Sequence, residues 1–126
     1  MKTIAVDFDG TLIFNTYPAL ENPNMDLINF ILKHRKHYIW VLWTCRSGQM
    51  LQEAIDYMKS FGIEFDYVNE NRPDAIEEWN NDCRKVWADY YIDDKNISLK
   101  QLKNKRIMEW IKNLTSSCRR SSRQDI

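Results

Sequence analysis

Apolar residues along this chain follow two alternating patterns. Short continuous runs of β-branched and aromatic residues read as strands: residues 4–6, "YIWVLW" over 38–43, "FDYV" over 65–68 and "VWADYYI" over 86–92. Between them apolar residues recur at helical spacing. Met25, Leu27, Ile28, Ile31 and Leu32 predict a helix over 24–36. Leu51, Ala54, Ile55 and Met58 share one face of a second, with Gly62 as its stop. Pro73 suits the first turn of a third, reaching residue 80. Ser98 and Gln101 fit a capping box that opens a fourth, over 98–113.

The order is β-α-β-α-β-α-β-α. Strands separated by helices cannot be hairpins; they call for crossovers and a parallel sheet covered on both faces. The prediction is an α/β fold, a Rossmann-like three-layer α/β/α sandwich with a mainly parallel sheet. Trp40, Trp43, Trp87, Tyr90 and Tyr91 lie within the strand runs and read as core, whereas Trp79 and Trp110 read as helix residues packed on the sheet or at an interface. One domain spans residues 1–114, and the polar, basic stretch 115–126 reads as a flexible tail.

Open sheets of this kind bind ligands beyond the carboxyl ends of their strands. The residues expected at that edge are Asp7 and Asp9, then Thr44 and Arg46, then Asn69, Glu70 and Asn71, then Asp93 and Asp94. Carboxylates crowded together repel unless a cation lies between them. An all-oxygen set favours a hard ion, and Mg²⁺ is the natural candidate. Asp-Gly and Asp-Asp also form turns, and that reading fits Asp93-Asp94 taken alone. It fits "DFDGT", placed directly after a buried strand, much less well.

Composition narrows the choice further. Lys+Arg and Asp+Glu number 18 each, so the zero net charge makes no general case for nucleic-acid binding. No apolar run approaches the ~18 residues of a membrane span. The chain starts on a strand-like run instead of a signal region, and Cys45, Cys83 and Cys118 are odd in number and scattered. The expectation is reduced thiols and a cytoplasmic location, with no membrane partner.

"VDFDGTL" resembles the first motif of the haloacid dehalogenase-like (HAD) hydrolases, an apolar strand running into D-x-D-G-T. Thr44 at the end of "WVLWT" resembles the second motif, and "YYIDD" the fourth. Order and intervals fit as well, from Lys2 to Asn96. The likeness is strongest to small bacterial and phage members with "TCR" and "IDDKN"-like motifs. The resemblance implies that Asp7 is the nucleophile, that Asp7, Asp93 and Asp94 hold Mg²⁺ together with the backbone carbonyl of Asp9, and that Thr44 contacts the phosphoryl group. For the third-motif cation the choice is Lys85, with Arg84 and Lys59 left open.

Asp9 lies two residues beyond Asp7, a spacing that returns an extended chain to the same face. It is therefore expected as general acid and then general base. Gly10 permits a tight turn. Gly10, Thr11, Arg46, Asn69 and Asn71 are the expected substrate contacts. The intervals between motifs leave no length for a cap domain, so the resemblance is to cap-less members with an open site.

The expected activity is a Mg²⁺-dependent phosphatase acting on a phosphomonoester of a small metabolite or nucleotide through an aspartyl-phosphate. Such an open site can be closed around a small substrate by a second copy in a homo-oligomer. Alternatives are a phosphatase of nucleic-acid ends and a receiver-type phosphoacceptor switch, against which the second acid, Asp9, argues.

Overall fold

The computed structural model describes residues 1–99 and 112–113. Met1–Asp94 forms one compact unit and Lys95–Ile126 a second. The sheet and the site lie in the first. The helix expected over 98–113 and the tail over 115–126 lie outside the described residues, apart from Ser98, Leu99, Lys112 and Asn113. Trp110 and Cys118 also lie outside them, and Cys45 and Cys83 are free thiols.

Four strands, β1 (Lys2–Val6), β2 (Tyr38–Leu42), β3 (Tyr67–Val68) and β4 (Tyr90–Ile92), form a parallel sheet in the order β3-β2-β1-β4. Helices α1 (Met25–Lys33), α2 (Gly48–Lys59) and α3 (Pro73–Trp79) lie between them in sequence. This is the α/β, Rossmann-like architecture that the alternation of runs predicts. Asn24 starts α1, its side chain accepting from the Leu27 N–H at 3.3 Å. Among the described residues no helix is long and apolar enough to cross a membrane.

The central strand β1 sorts its side chains by parity. Ile4 and Val6, with Phe8 just beyond, face Trp40 and Leu42, and Ile28, Ile31, Ala54 and Met58 of α1 and α2 close over them. Ala5 and Val41 face the other way, under Val86, Trp43 and Tyr91. Each large apolar side chain buried in this way contributes roughly 1.5–3 kcal/mol.

The last strand is shorter than the run over 86–92 predicts. Val86 is buried, yet it reaches the Ala5–Val41 face from a loop. Side chains satisfy the backbone there: Asn71 Oδ1 accepts the Trp87 N–H at 2.7 Å, and the Tyr91 hydroxyl accepts that of Ala88 at 3.2 Å. A backbone satisfied in this way needs no ladder. Trp87, expected in the core, is consequently 38% exposed, and Tyr90, also expected there, is 51% exposed in the edge strand β4. Trp79, at the end of α3, is exposed as well.

Candidate active site

The ladder continues one residue past three of the strands. The Asp7 N–H donates to Ile92 O at 2.9 Å, Trp43 N–H to Val6 O at 2.8 Å and Asn69 N–H to Leu42 O at 2.8 Å. The polar residues at the carboxyl edge are thus delivered in fixed register. After Asp7 the chain reverses tightly, with the Phe8 carbonyl accepting the Leu12 N–H at 2.9 Å. Gly10 makes this reversal at φ +82°, where a side chain is strained, and a Cβ there would overlap the Asp94 carboxylate. The turn thereby lets acids from β1 and β4 approach one another.

Asp7, Asp93 and Asp94 each present an oxygen, all within 4.8 Å of one another. Thr11 ties this trio together. Its hydroxyl donates to Asp7 Oδ2 at 2.9 Å and accepts the Asp94 N–H at 2.9 Å. Burial pushes the Asp7 carboxyl up to about 6 against the pull of the Thr11 hydroxyl, and the charges of Asp93 and Asp94 add to the rise. An all-carboxylate set this close together is chemically suited to a hard divalent cation.

The Asp9 carboxylate is not in this trio; it faces Arg46. Arg46 Nε donates to Asp9 Oδ2 at 2.8 Å and Nη2 to Oδ1 at 2.7 Å, while Asn15 Nδ2 donates to Oδ1 at 2.8 Å. Burial works against the Asp9 charge, but these hydrogen bonds and the guanidinium charge outweigh it and hold the carboxyl below its usual range. The Arg46 side chain is fully buried, 5.0 Å from the Phe8 ring centre and 5.1 Å from that of Tyr17. Its remaining donors reach Pro18 O at 3.1 Å and Met50 O at 3.4 Å.

Arg46, expected as a phosphate contact at the rim, is therefore an internal anchor in this structure. The short turn after β2 folds its stem inward, and the stacked rings and Asp9 replace its water. Thr44, half-buried at the head of that turn, donates its N–H to Asn69 Oδ1 at 2.8 Å and accepts the Arg46 N–H on Oγ1 at 3.1 Å. Neither bond uses its hydroxyl proton.

Asn69 and Asn71, also expected at the substrate, are engaged with the protein itself. Asn69 holds the Thr44 backbone. Asn71 donates to Asp82 Oδ1 at 2.9 Å and Cys83 O at 2.8 Å, and accepts from Trp87, so it staples the loop before β4. Gly10 and Thr11 likewise act on the acids, by close approach and by hydrogen bonding.

Lys85 Nζ sits 5.2 Å from the centre of the Tyr91 ring, in a cavity of about 430 Å³ walled by Ala75, Trp79 and Trp87. That cavity shares no lining residue with the trio of Asp7, Asp93 and Asp94, so the structure does not bring Lys85, expected as the third-motif cation, into the acid cluster. Lys59 is at the far end of α2, which starts at the carboxyl edge, and it pairs with Glu64 at 3.4 Å. That position removes it as the third-motif cation.

Sequence reasoning missed Asn15, which holds Asp9, and the exposed aromatics Phe14 and Tyr17 in the same loop. The signal available was "FNTYP" itself, two aromatics in a segment with no apolar period.

No protein-family model and no curated protein matches the chain. Among solved structures, that of a conserved protein from Bacteroides thetaiotaomicron is similar. The two are 36% identical over 76% of this chain and 78% of the other, with a TM-score of 0.66.

Proposed function

Starting from a chain that belongs to the same family as that conserved Bacteroides thetaiotaomicron protein, we propose a Mg²⁺-dependent phosphatase of the HAD type that cleaves a phosphomonoester through an aspartyl-phosphate on Asp7. The observation that carries this reading is the split between the two acids of one D-x-D. Asp7 joins Asp93 and Asp94 in an oxygen cluster, while Asp9 is withdrawn to Arg46. A nucleophile and a proton carrier need such different surroundings.

Asp7, Asp93 and Asp94 would hold Mg²⁺, which when bound neutralises charge as one anion approaches another. Thr11 occupies Asp7 Oδ2 and leaves Oδ1 as the attacking oxygen. The bond from Asp7 to phosphorus forms as the bond to the leaving oxygen breaks. Thr44 gives its hydroxyl proton to the phosphoryl oxygens. Asp9 donates a proton to the leaving oxygen and recovers one from the water that cleaves the intermediate. Because Arg46 favours the ionised form of Asp9, giving up the proton is the easier of these two steps and taking one back from water the harder. The substrate is a small phosphorylated molecule, and a cytoplasmic setting fits the two free, exposed cysteines, Cys45 and Cys83.

The test is release of phosphate from p-nitrophenyl phosphate, with and without Mg²⁺, by the wild type and by Asp7→Asn. Metal-dependent release that disappears in the variant is expected. Release that survives Asp7→Asn removes the mechanism, and a stable phosphoprotein without turnover turns the reading towards a phosphoacceptor switch.

A further inference from the structure

A cleft of about 610 Å³ opens beside the acid cluster, a size suited to a small organic ligand. Thr11, Asp93 and Asp94 line it together with Phe14 and Leu27, and Asp26 is also in its wall. A ligand that fits this mixed lining meets acids, whose repulsion of a phosphate a bound cation would offset, and an aromatic ring.

Phe14 is 58% exposed, yet its backbone is held on both sides. Its N–H donates to Asn22 O at 2.8 Å, and its carbonyl accepts from Asn22 Nδ2 at 3.2 Å. Ile13 before it is buried and bridges to Pro23. The core does not use the Phe14 ring, although the backbone that carries it is fixed. An aromatic side chain presented on a fixed loop at the mouth of a site offers its face to a ligand. Asp26 adds an acceptor for hydroxyl or amino groups and repels a second phosphate.

We propose that this cleft is a substrate subsite beside the acid cluster and that Phe14 sets specificity by stacking on a flat, uncharged ring, so that the preferred substrate class is a nucleoside monophosphate. The proposal rests on the phosphatase reading for turnover but not for binding. Every base has a π-face, so stacking tolerates changes of base, and the class is defined by the ring more than by its hydrogen-bonding edge.

The experiment compares uridine 5′-monophosphate with ribose 5-phosphate, which keeps the phosphate and sugar and lacks the ring. The expected result is a higher kcat/KM for the nucleotide. The ratio of the two kcat/KM values should fall about tenfold in Phe14→Ala, through KM, and recover in Phe14→Trp. Equal kcat/KM values in the wild type, or an equal loss on both substrates, overturn the proposal.

Binding is measured in parallel by calorimetry with uridine 5′-monophosphate on Asp7→Asn, alone and combined with Phe14→Ala. Binding to Asp7→Asn that Phe14→Ala weakens, from a wild type that hydrolyses neither compound, upholds the subsite and rejects the phosphatase. Neither binding nor turnover overturns the subsite itself.

Discussion

The Arg46 guanidinium grips both carboxylate oxygens of Asp9, at 2.8 Å through Nε and 2.7 Å through Nη2. The arginine side chain has no solvent exposure and the aspartate keeps a quarter of its own, 0% against 25%. The pair lies between the reversal after β1 and the turn after β2, and it ties the loop that carries Tyr17 and Pro18 to the start of α2.

Removing one partner of such a pair strands the other. Arg46→Met is expected to cost about 3 kcal/mol of stability, the penalty for leaving a largely desolvated carboxylate alone. Asp9→Asn should cost a comparable amount, because it leaves the fully buried Arg46 guanidinium without its counter-charge. The double variant should lose less than the two single losses added together. Urea denaturation of the four proteins in this cycle measures the coupling, and strict additivity would show that the two residues act independently.

Asp7 carries the opposite perturbation, and the sign of its linkage follows. Its folded value of about 6 lies above the ordinary 3.8. Between those two values the metal-free folded protein therefore binds more protons than the unfolded chain. The contribution of Asp7 is fully present below pH ~4 and is lost as the pH rises through about 6. Thermal melts of the metal-free protein across this window should fall with rising pH more steeply in the wild type than in Asp7→Asn. A slope unchanged by the substitution would assign it to other groups.

Thr11 links two strands through one oxygen. Thr11→Val keeps its shape but leaves the Asp94 N–H and Asp7 Oδ2 without that partner. A stability loss of roughly 1–3 kcal/mol is expected. Mg²⁺ affinity, read by calorimetry, should fall by about tenfold, the scale of a lost supporting contact around a metal ligand. Thr11→Ser should restore most of both, since it keeps the hydroxyl. Failure of serine to rescue would mean that the methyl group, not the hydrogen bonds, matters at this position.

Much of this site was legible before any contact was known. Asp7 and Asp93 each follow an apolar run, and parallel strands put all such ends on one edge, so the acid cluster follows from topology. The pairing of Asp9 with Arg46 does not follow, because the residues stand 37 positions apart and no local period connects them. Arginine at a loop is ordinarily solvated, so the rim was the natural place to expect it. The roles of Asn69 and Asn71 were hidden for a similar reason. An Asn in a loop offers donors and acceptors to solvent, ligand or backbone alike, and only the packed loop before β4 selects among them. The run over 86–92 was misread as one strand because apolar composition marks burial without saying whether the backbone joins a ladder.

The sequence by itself determined the order of the elements from β1 to β4, the parallel α/β architecture and the edge at which Asp7, Thr44, Asp93 and Asp94 stand. These are consequences of short-range periodicity, which acts through the local choice between strand and helix. Only the tertiary structure decided that Asp7 and Asp9, two residues apart, part company. The reversal at Gly10 brings Asp94 against the first acid, while burial of Arg46 between Phe8 and Tyr17 claims the second. Desolvation and charge pairing depend on which distant groups share a space, and that is fixed when the chain packs.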